Sequence, residues 1–173
     1  MRVVIGLLAC TIFCFGVASA QAAEKAQLLF GVGQYDIIPN DNKSVAAHVQ
    51  YRFADGFGGG RALGGNFLGV KPLIGAFINT DKGGLMFAGF ALPMQWNNGL
   101  FEFEPSAGIA AYHQGDSTFL GGTAQFHLGF QASVRVVRGV RAGIGLTHVS
   151  NAQVLHKKNR GTNILMATTG LEF

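Results

Sequence analysis

An all-β fold, an eight-stranded antiparallel transmembrane β-barrel behind a cleaved signal peptide, is what three features of this 173-residue sequence predict. The chain opens with a secretory leader, and after it no apolar run is long enough to cross a bilayer as a helix. Charged residues make up only 13%, against about 25% in ordinary soluble domains. Beyond the leader, apolar and polar residues alternate with the period of two that marks strands with two different faces. A secreted apolar chain without spanning helices meets lipid by closing its strands into a barrel, so that no backbone edge stays unpaired in hydrocarbon.

The leader covers 1–22. Arg2 supplies a positive start, an apolar run follows, and Ala18-Ser19-Ala20 or Ala20-Gln21-Ala22 gives small-x-small cleavage sites after 20 or 22. Leu8-Ala9-Cys10 faintly resembles a lipoprotein site, but Cys10 comes before a full hydrophobic region is complete. Both cysteines, Cys10 and Cys14, fall in the leader. The barrel domain, 23–173, therefore has no thiol, disulfide or cysteine metal site.

Strand one is expected over about 26–36, ended by the turn cluster Pro39-Asn40-Asp41-Asn42. Strand two, about 44–53, puts Val45, Ala47, Val49, Tyr51 and Phe53 on one face and Ala46, His48, Gln50 and Arg52 on the other. The glycine-rich stretch 54–66 reads as a turn with a weak strand start. Strand three, about 67–79, contains Pro72, which a sheet tolerates at an edge or bulge. Asp81-Lys82-Gly83-Gly84 turns the chain into strand four, about 85–96, and Asn97-Asn98-Gly99 is a tight hairpin signal. Strand five is about 100–113 and strand six about 123–136, the latter alternating cleanly from Gln125 to Val136. Arg138-Gly139 turns into strand seven, about 140–150, and strand eight runs over about 163–173. An even count returns the last strand beside the first, and eight strands make the smallest usual membrane barrel. With the N-terminus in the periplasm, 97–99 and 138–139 are periplasmic turns. The long segment 54–66 fits that scheme less well.

Arg52, Glu102, Glu104, Arg135, Arg141 and Glu172 all fall on the polar parity, at strand ends on the periplasmic side. They should pair within the lumen, since unpaired buried charges are costly. An ion path is the alternative to a packed plug, and small barrels favour packing. His48, His113 and His127 have no ligand-like partners at useful spacing, so they read as lumen or loop residues.

The candidate site lies on strand seven. Ile144, Leu146, His148 and Ser150 share one parity, which Ile144 and Leu146 mark as lipid-facing. On strand eight, Asn163 shares the apolar parity with Leu165 and Leu171. His148, Ser150 and Asn163 thus converge on the outer wall, where polar groups are expensive and usually functional. A general base two residues from a hydroxyl suggests acyl transfer. A polar strand end without chemistry is the alternative.

The run His148-Val149-Ser150-Asn151-Ala152, the pattern Asn-x-Gly-x-Asn at 159–163 and the terminal Phe173 together resemble the outer-membrane lipid A 3-O-deacylases (PagL-like). Lys71-Pro72-Leu73-Ile74-Gly75 and Thr80-Asp81 extend the likeness over roughly 70–173, and the C-terminal motif is its specific part. The resemblance implies an outer-membrane barrel that hydrolyses the ester-linked 3-O-acyl chain of lipid A from its outer wall. It implies Ser150 as nucleophile, His148 as general base and Asn151 as an oxyanion contact. Where the family often has an acid to orient the histidine, this chain has Asn163. An amide carbonyl accepts the imidazole N–H but cannot stabilise an imidazolium by charge. No other carboxylate substitutes, because Glu172 lies at the opposite end and Asp116 in another loop.

Lys157, Lys158 and Arg160 in the loop between strands seven and eight either contact substrate phosphates or are simply solvated. Implied partners are lipopolysaccharide and the surrounding outer-membrane lipids, with the barrel-assembly machinery engaging Phe173. A homodimer is left open. Serine chemistry implies no cofactor or metal. The net charge of +4 is too diffuse to argue for nucleic acid. The rival reading is a non-catalytic small barrel with a structural or adhesive role, which the short loops disfavour.

Overall fold

The computed structural model describes residues 25–38 and 43–173. The leader and its cleavage sites lie outside the described residues. Among the described residues, eleven strands form one antiparallel sheet: β1 (Gln27–Tyr35), β2 (Ser44–Arg52), β3 (Gly60–Ala62), β4 (Gly65–Phe67), β5 (Lys71–Asn79), β6 (Gly84–Ala91), β7 (Met94–Trp96), β8 (Phe101–His113), β9 (Ala124–Val137), β10 (Val140–Ser150) and β11 (Thr162–Glu172). Eight of them are long, and these close into the expected barrel, with β1 pairing both β2 and β11. Among the described residues no helix is long and apolar enough to cross a membrane.

Alternation decides which side chains face in. On β2, Ala46, His48, Gln50 and Arg52 are buried while Val45 and Val49 are exposed. On β9, Gln125, His127, Gln131 and Ser133 point inward, and Leu128 and Phe130 point out. The outer wall is a continuous apolar coat of Phe30, Val32, Ile74, Met86, Phe90, Ile109, Ile144, Leu165 and their neighbours. Such a surface is stable only against lipid. At mid-height the lumen is filled by rings: Phe87 stacks on His127 at 4.1 Å between centroids and on His48 at 5.8 Å, with Phe77 alongside.

Two stretches depart from the sequence reading. Residues 54–66 are not a bare turn. They build the hairpin β3–β4, which pairs through β7 onto the first residues of β8. Likewise 85–96 is not one strand, because it breaks at Leu92-Pro93 and resumes as the short β7. The break is tied to Pro105. Its carbonyl accepts the Leu92 N–H at 2.8 Å, so its own nitrogen also faces the place where the neighbour of β8 changes from β7 to β6. A residue without an N–H costs least there. Pro72 sits just outside the β2–β5 ladder, which runs from Leu73 to Asn79.

The charged cluster forms at the end of the barrel that carries the start of β1 and the C-terminus. Arg52 reaches Glu102 at 3.1 Å and also bonds Glu104. Arg141 lies 3.4 Å from Glu172 and 3.9 Å from Glu102. Gln50 and Gln95 donate to the same two glutamates of β8. Arg135 does not join. It is half-exposed, and it donates to the Asn98 carbonyl at 3.1 Å. It stands across from the buried Arg141 in the β9–β10 ladder, but its side chain turns to the hairpin at Asn98 instead of entering the lumen.

Candidate active site

The opposite end of the barrel carries the other polar cluster. β10 and β11 pair so that His148 stands directly across from Asn163. Period two puts Ser150 on the same face as His148, and the exposure of Ile144 (62%) and Leu146 (39%) identifies that face as the outer wall. Thr147 and Val149, between them, are buried on the inner side. A register slip of one residue would turn the whole set inward.

His148 bridges the other two. Its Nε2 is 3.1 Å from Ser150 Oγ, and its Nδ1 is 3.0 Å from Asn163 Oδ1. Asn163 in turn donates from Nδ2 to the Ile38 carbonyl at 2.9 Å, and the Asn163 carbonyl accepts the Ile37 N–H at 2.9 Å. His148 and Asn163 are half-buried, whereas Ser150 is only 9% exposed. The loop returning from β10 to β11 screens it. Gly161 makes that return fit: at φ +66°, a Cβ there would stand 3.1 Å from His148 Cε1 and 3.4 Å from Ser150 Cβ.

Asn151 is fully buried and all three of its N–H groups are donated. Its side chain bonds the Leu120 and Lys158 carbonyls at 2.8 and 2.7 Å, and its backbone N–H bonds Asn159 Oδ1 at 3.1 Å. Its Oδ1 accepts the Gln153 N–H at 2.8 Å, over a turn in which Ala152 and Gln153 both have positive φ. The oxyanion contact expected of Asn151 has no spare donor, and the residue instead anchors the loop over Ser150. Lys157 and Lys158 are exposed on that loop. Arg160, on the same loop, is exposed as well, but it also has a partner. Its Nη2 is 3.1 Å from Oδ2 of Asp36, a carboxylate that is completely buried and also accepts the Thr162 hydroxyl at 3.2 Å.

The sequence reading passed over Asp36, and it gave Asn159 a place in the motif but no role of its own. Asp36 lies at the end of β1, far from the motif in sequence. Strand closure alone, β1 beside β11, would have brought it to the loop. Among the described residues no cluster of three or more histidine, cysteine or acidic side chains could hold a metal ion.

The family model for lipid A 3-O-deacylase (PagL) matches residues 34–172. The chain belongs to this family. A crystal structure of the outer membrane enzyme PagL superposes with a TM-score of 0.66 at 15% identity, covering 84% of this chain and 98% of that one. A structure from the de novo design of transmembrane β-barrels superposes at 0.57 and 12% identity, covering 88% of this chain and 98% of the design. At these identities both likenesses concern the fold. No curated protein matches the chain in sequence. As a member of the PagL family this protein is an outer-membrane β-barrel, and the apolar coat of its wall is the surface that meets lipid.

Proposed function

We propose that this chain removes the ester-linked 3-O-acyl chain of lipid A, using Ser150, His148 and Asn163 on its outer wall. The observation that carries the reading is the hydrogen-bonded series Ser150–His148–Asn163, at 3.1 and 3.0 Å, on a lipid-facing surface. With the start of β1 and the C-terminus in the periplasm, this end of the barrel lies at the depth of the outer leaflet, where lipid A resides.

The chemistry follows from the donor and acceptor pattern. His148 Nε2 takes the Ser150 proton as Oγ attacks the ester carbonyl carbon. The tetrahedral intermediate collapses, the C–O bond to the sugar breaks, and the imidazolium returns its proton to the departing sugar hydroxyl. Water, activated by the same nitrogen, then cleaves the acyl-serine and frees the fatty acid. Asn163 holds the ring through its carbonyl, so turnover proceeds without the charge a carboxylate would lend to the imidazolium. Lys157 and Lys158 are proposed to meet the lipid A phosphates, as exposed cations beside the site. Recognition of Phe173 by the barrel-assembly machinery belongs to the same proposal, because that ring is 65% exposed at the C-terminal end.

The experiment is mass spectrometry of lipid A from cells making the wild-type protein or Ser150→Ala. Loss of one 3-O-acyl chain with wild type alone supports the proposal. Identical, fully acylated lipid A in both strains, in a membrane known to present the substrate, would sink it and leave a structural barrel as the better account.

A further inference from the structure

We infer that Asp36 is a positioning residue: it pins the turn after β1 so that the Ile38 carbonyl locks the Asn163 amide in the one orientation that leaves His148 Nε2 free to act as a base. The inference rests on the reading of Ser150, His148 and Asn163 as the reacting set, and it explains how a neutral amide serves where a carboxylate is usual.

A carboxylate offers Nδ1 an oxygen whichever way it turns. An amide does not. If the Asn163 side chain rotated by half a turn, its NH2 would face the ring, Nδ1 would become the acceptor, and Nε2 would carry the proton. That tautomer has no lone pair for the serine. What forbids the rotation is a second partner that can only accept. The Ile38 carbonyl, 2.9 Å from Asn163 Nδ2, is such a group. It holds the NH2 away from the ring, which leaves Oδ1 at 3.0 Å from Nδ1. An oxygen that only accepts then requires the proton on Nδ1, and Nε2 is left unprotonated, 3.1 Å from Ser150 Oγ.

The lock is only as firm as the turn that carries Ile38. Asp36 leaves β1 with φ +55°, a conformation that aspartate tolerates better than most residues. Its carboxylate is fully buried and joined to two side chains of the β10–β11 return, Arg160 and Thr162. Thr162 is the residue before Asn163, and the Ile37 N–H reaches the Asn163 carbonyl. The turn and the start of β11 are therefore held on both sides of the amide. A buried charge is kept only where its partners are in place, so the pair fixes the turn's position.

The test compares kinetics of the full barrel on lipid A in detergent micelles. Asp36→Ala should lower kcat by about 10²-fold, the cost of a misplaced base, with KM nearly unchanged and gel mobility still that of a folded barrel. The same change in an Asn163→Glu background should cost little, because a carboxylate needs no lock. Equal losses in the two backgrounds, or no loss in either, would overturn the inference. Nitrogen NMR of His148 gives a readout independent of turnover. In the unaltered barrel Nδ1 should carry the proton, and in Asp36→Ala, or in Asp36→Asn should alanine prevent folding, the two tautomers should mix. One unchanged tautomer overturns the inference. Failure of the deacylase reading looks different: Ser150→Ala and wild type would leave lipid A alike, while the NMR would still report the lock.

Discussion

At the C-terminal end of the barrel, Arg52, Arg141, Glu102, Glu104 and Glu172 enclose their charges in the lumen. At the other end, His148, Ser150 and Asn163 sit on the outer wall and meet one another with no carboxylate among them. Both groups bury polar atoms at membrane depth. The lumen does it with opposite charges packed against each other, so that attraction offsets lost hydration. The wall has lipid on one side. A neutral amide there is cheaper to hold than an ionised acid. Asn163 thus favours the empty barrel, at a cost in the charge it can offer the imidazolium.

That contrast can be broken first by single substitutions at the two ends. Ser150→Ala should lower deacylation by more than about 10³-fold while leaving the urea unfolding midpoint of the refolded barrel unchanged. Arg52→Leu should do the reverse. It strands Glu102 and Glu104 and should destabilise the barrel by roughly 3–5 kcal/mol, with the activity of each folded molecule kept. An unfolding curve untouched by Arg52→Leu would mean that the lumen pairs contribute nothing.

A finer probe restores the charge. Asn163→Glu should raise kcat by about fivefold, since a hydrogen bond to an ionised group is worth roughly 1 kcal/mol more than a neutral one. It should also lower stability slightly, the opposite sign to its effect on rate. Arg135→Leu should change stability by less than about 1 kcal/mol, because Arg135 bonds only a hairpin carbonyl; a loss like that of Arg52→Leu would place it back in the network. Smallest of all is the fully exposed pair Lys82–Asp116, 2.8 Å apart on neighbouring loops. Lys82 holds the Asp116 carboxyl below its ordinary value. Any stability from the pair is present at neutral pH and is lost as pH falls through that lowered value. Asp116→Asn should leave the neutral-pH midpoint where it was.

Alternation made most of the barrel legible in the sequence. The parity of β2, β9 and β10 placed Arg52, His127 and His148 on the faces they occupy, because a strand offers only two choices. The same rule brings His148 and Asn163 together on one face. It could not describe β3, β4 and β7, which are three residues each and too short to show a period. Nor could it separate Arg135 from Arg141, its partner across the β9–β10 ladder, since parity does not say which groups a long side chain reaches. Asp36 escaped for another reason. Its importance comes from the closure of β1 onto β11, a contact across most of the chain. The fate of Asn151 was equally hidden, because a motif gives residue types and not which donors a loop has already consumed.

The stack of His48, Phe87 and His127 across the middle of the lumen also sets the traffic of the molecule. With rings at mid-height and ion pairs below them, side chains fill the bore. On the proposed reading, whatever the wall site handles would travel in two dimensions, the substrate reaching it sideways within the leaflet and the freed fatty acid departing the same way. On that reading the barrel works as a shoreline, with its reaction at the line where the lipid ends.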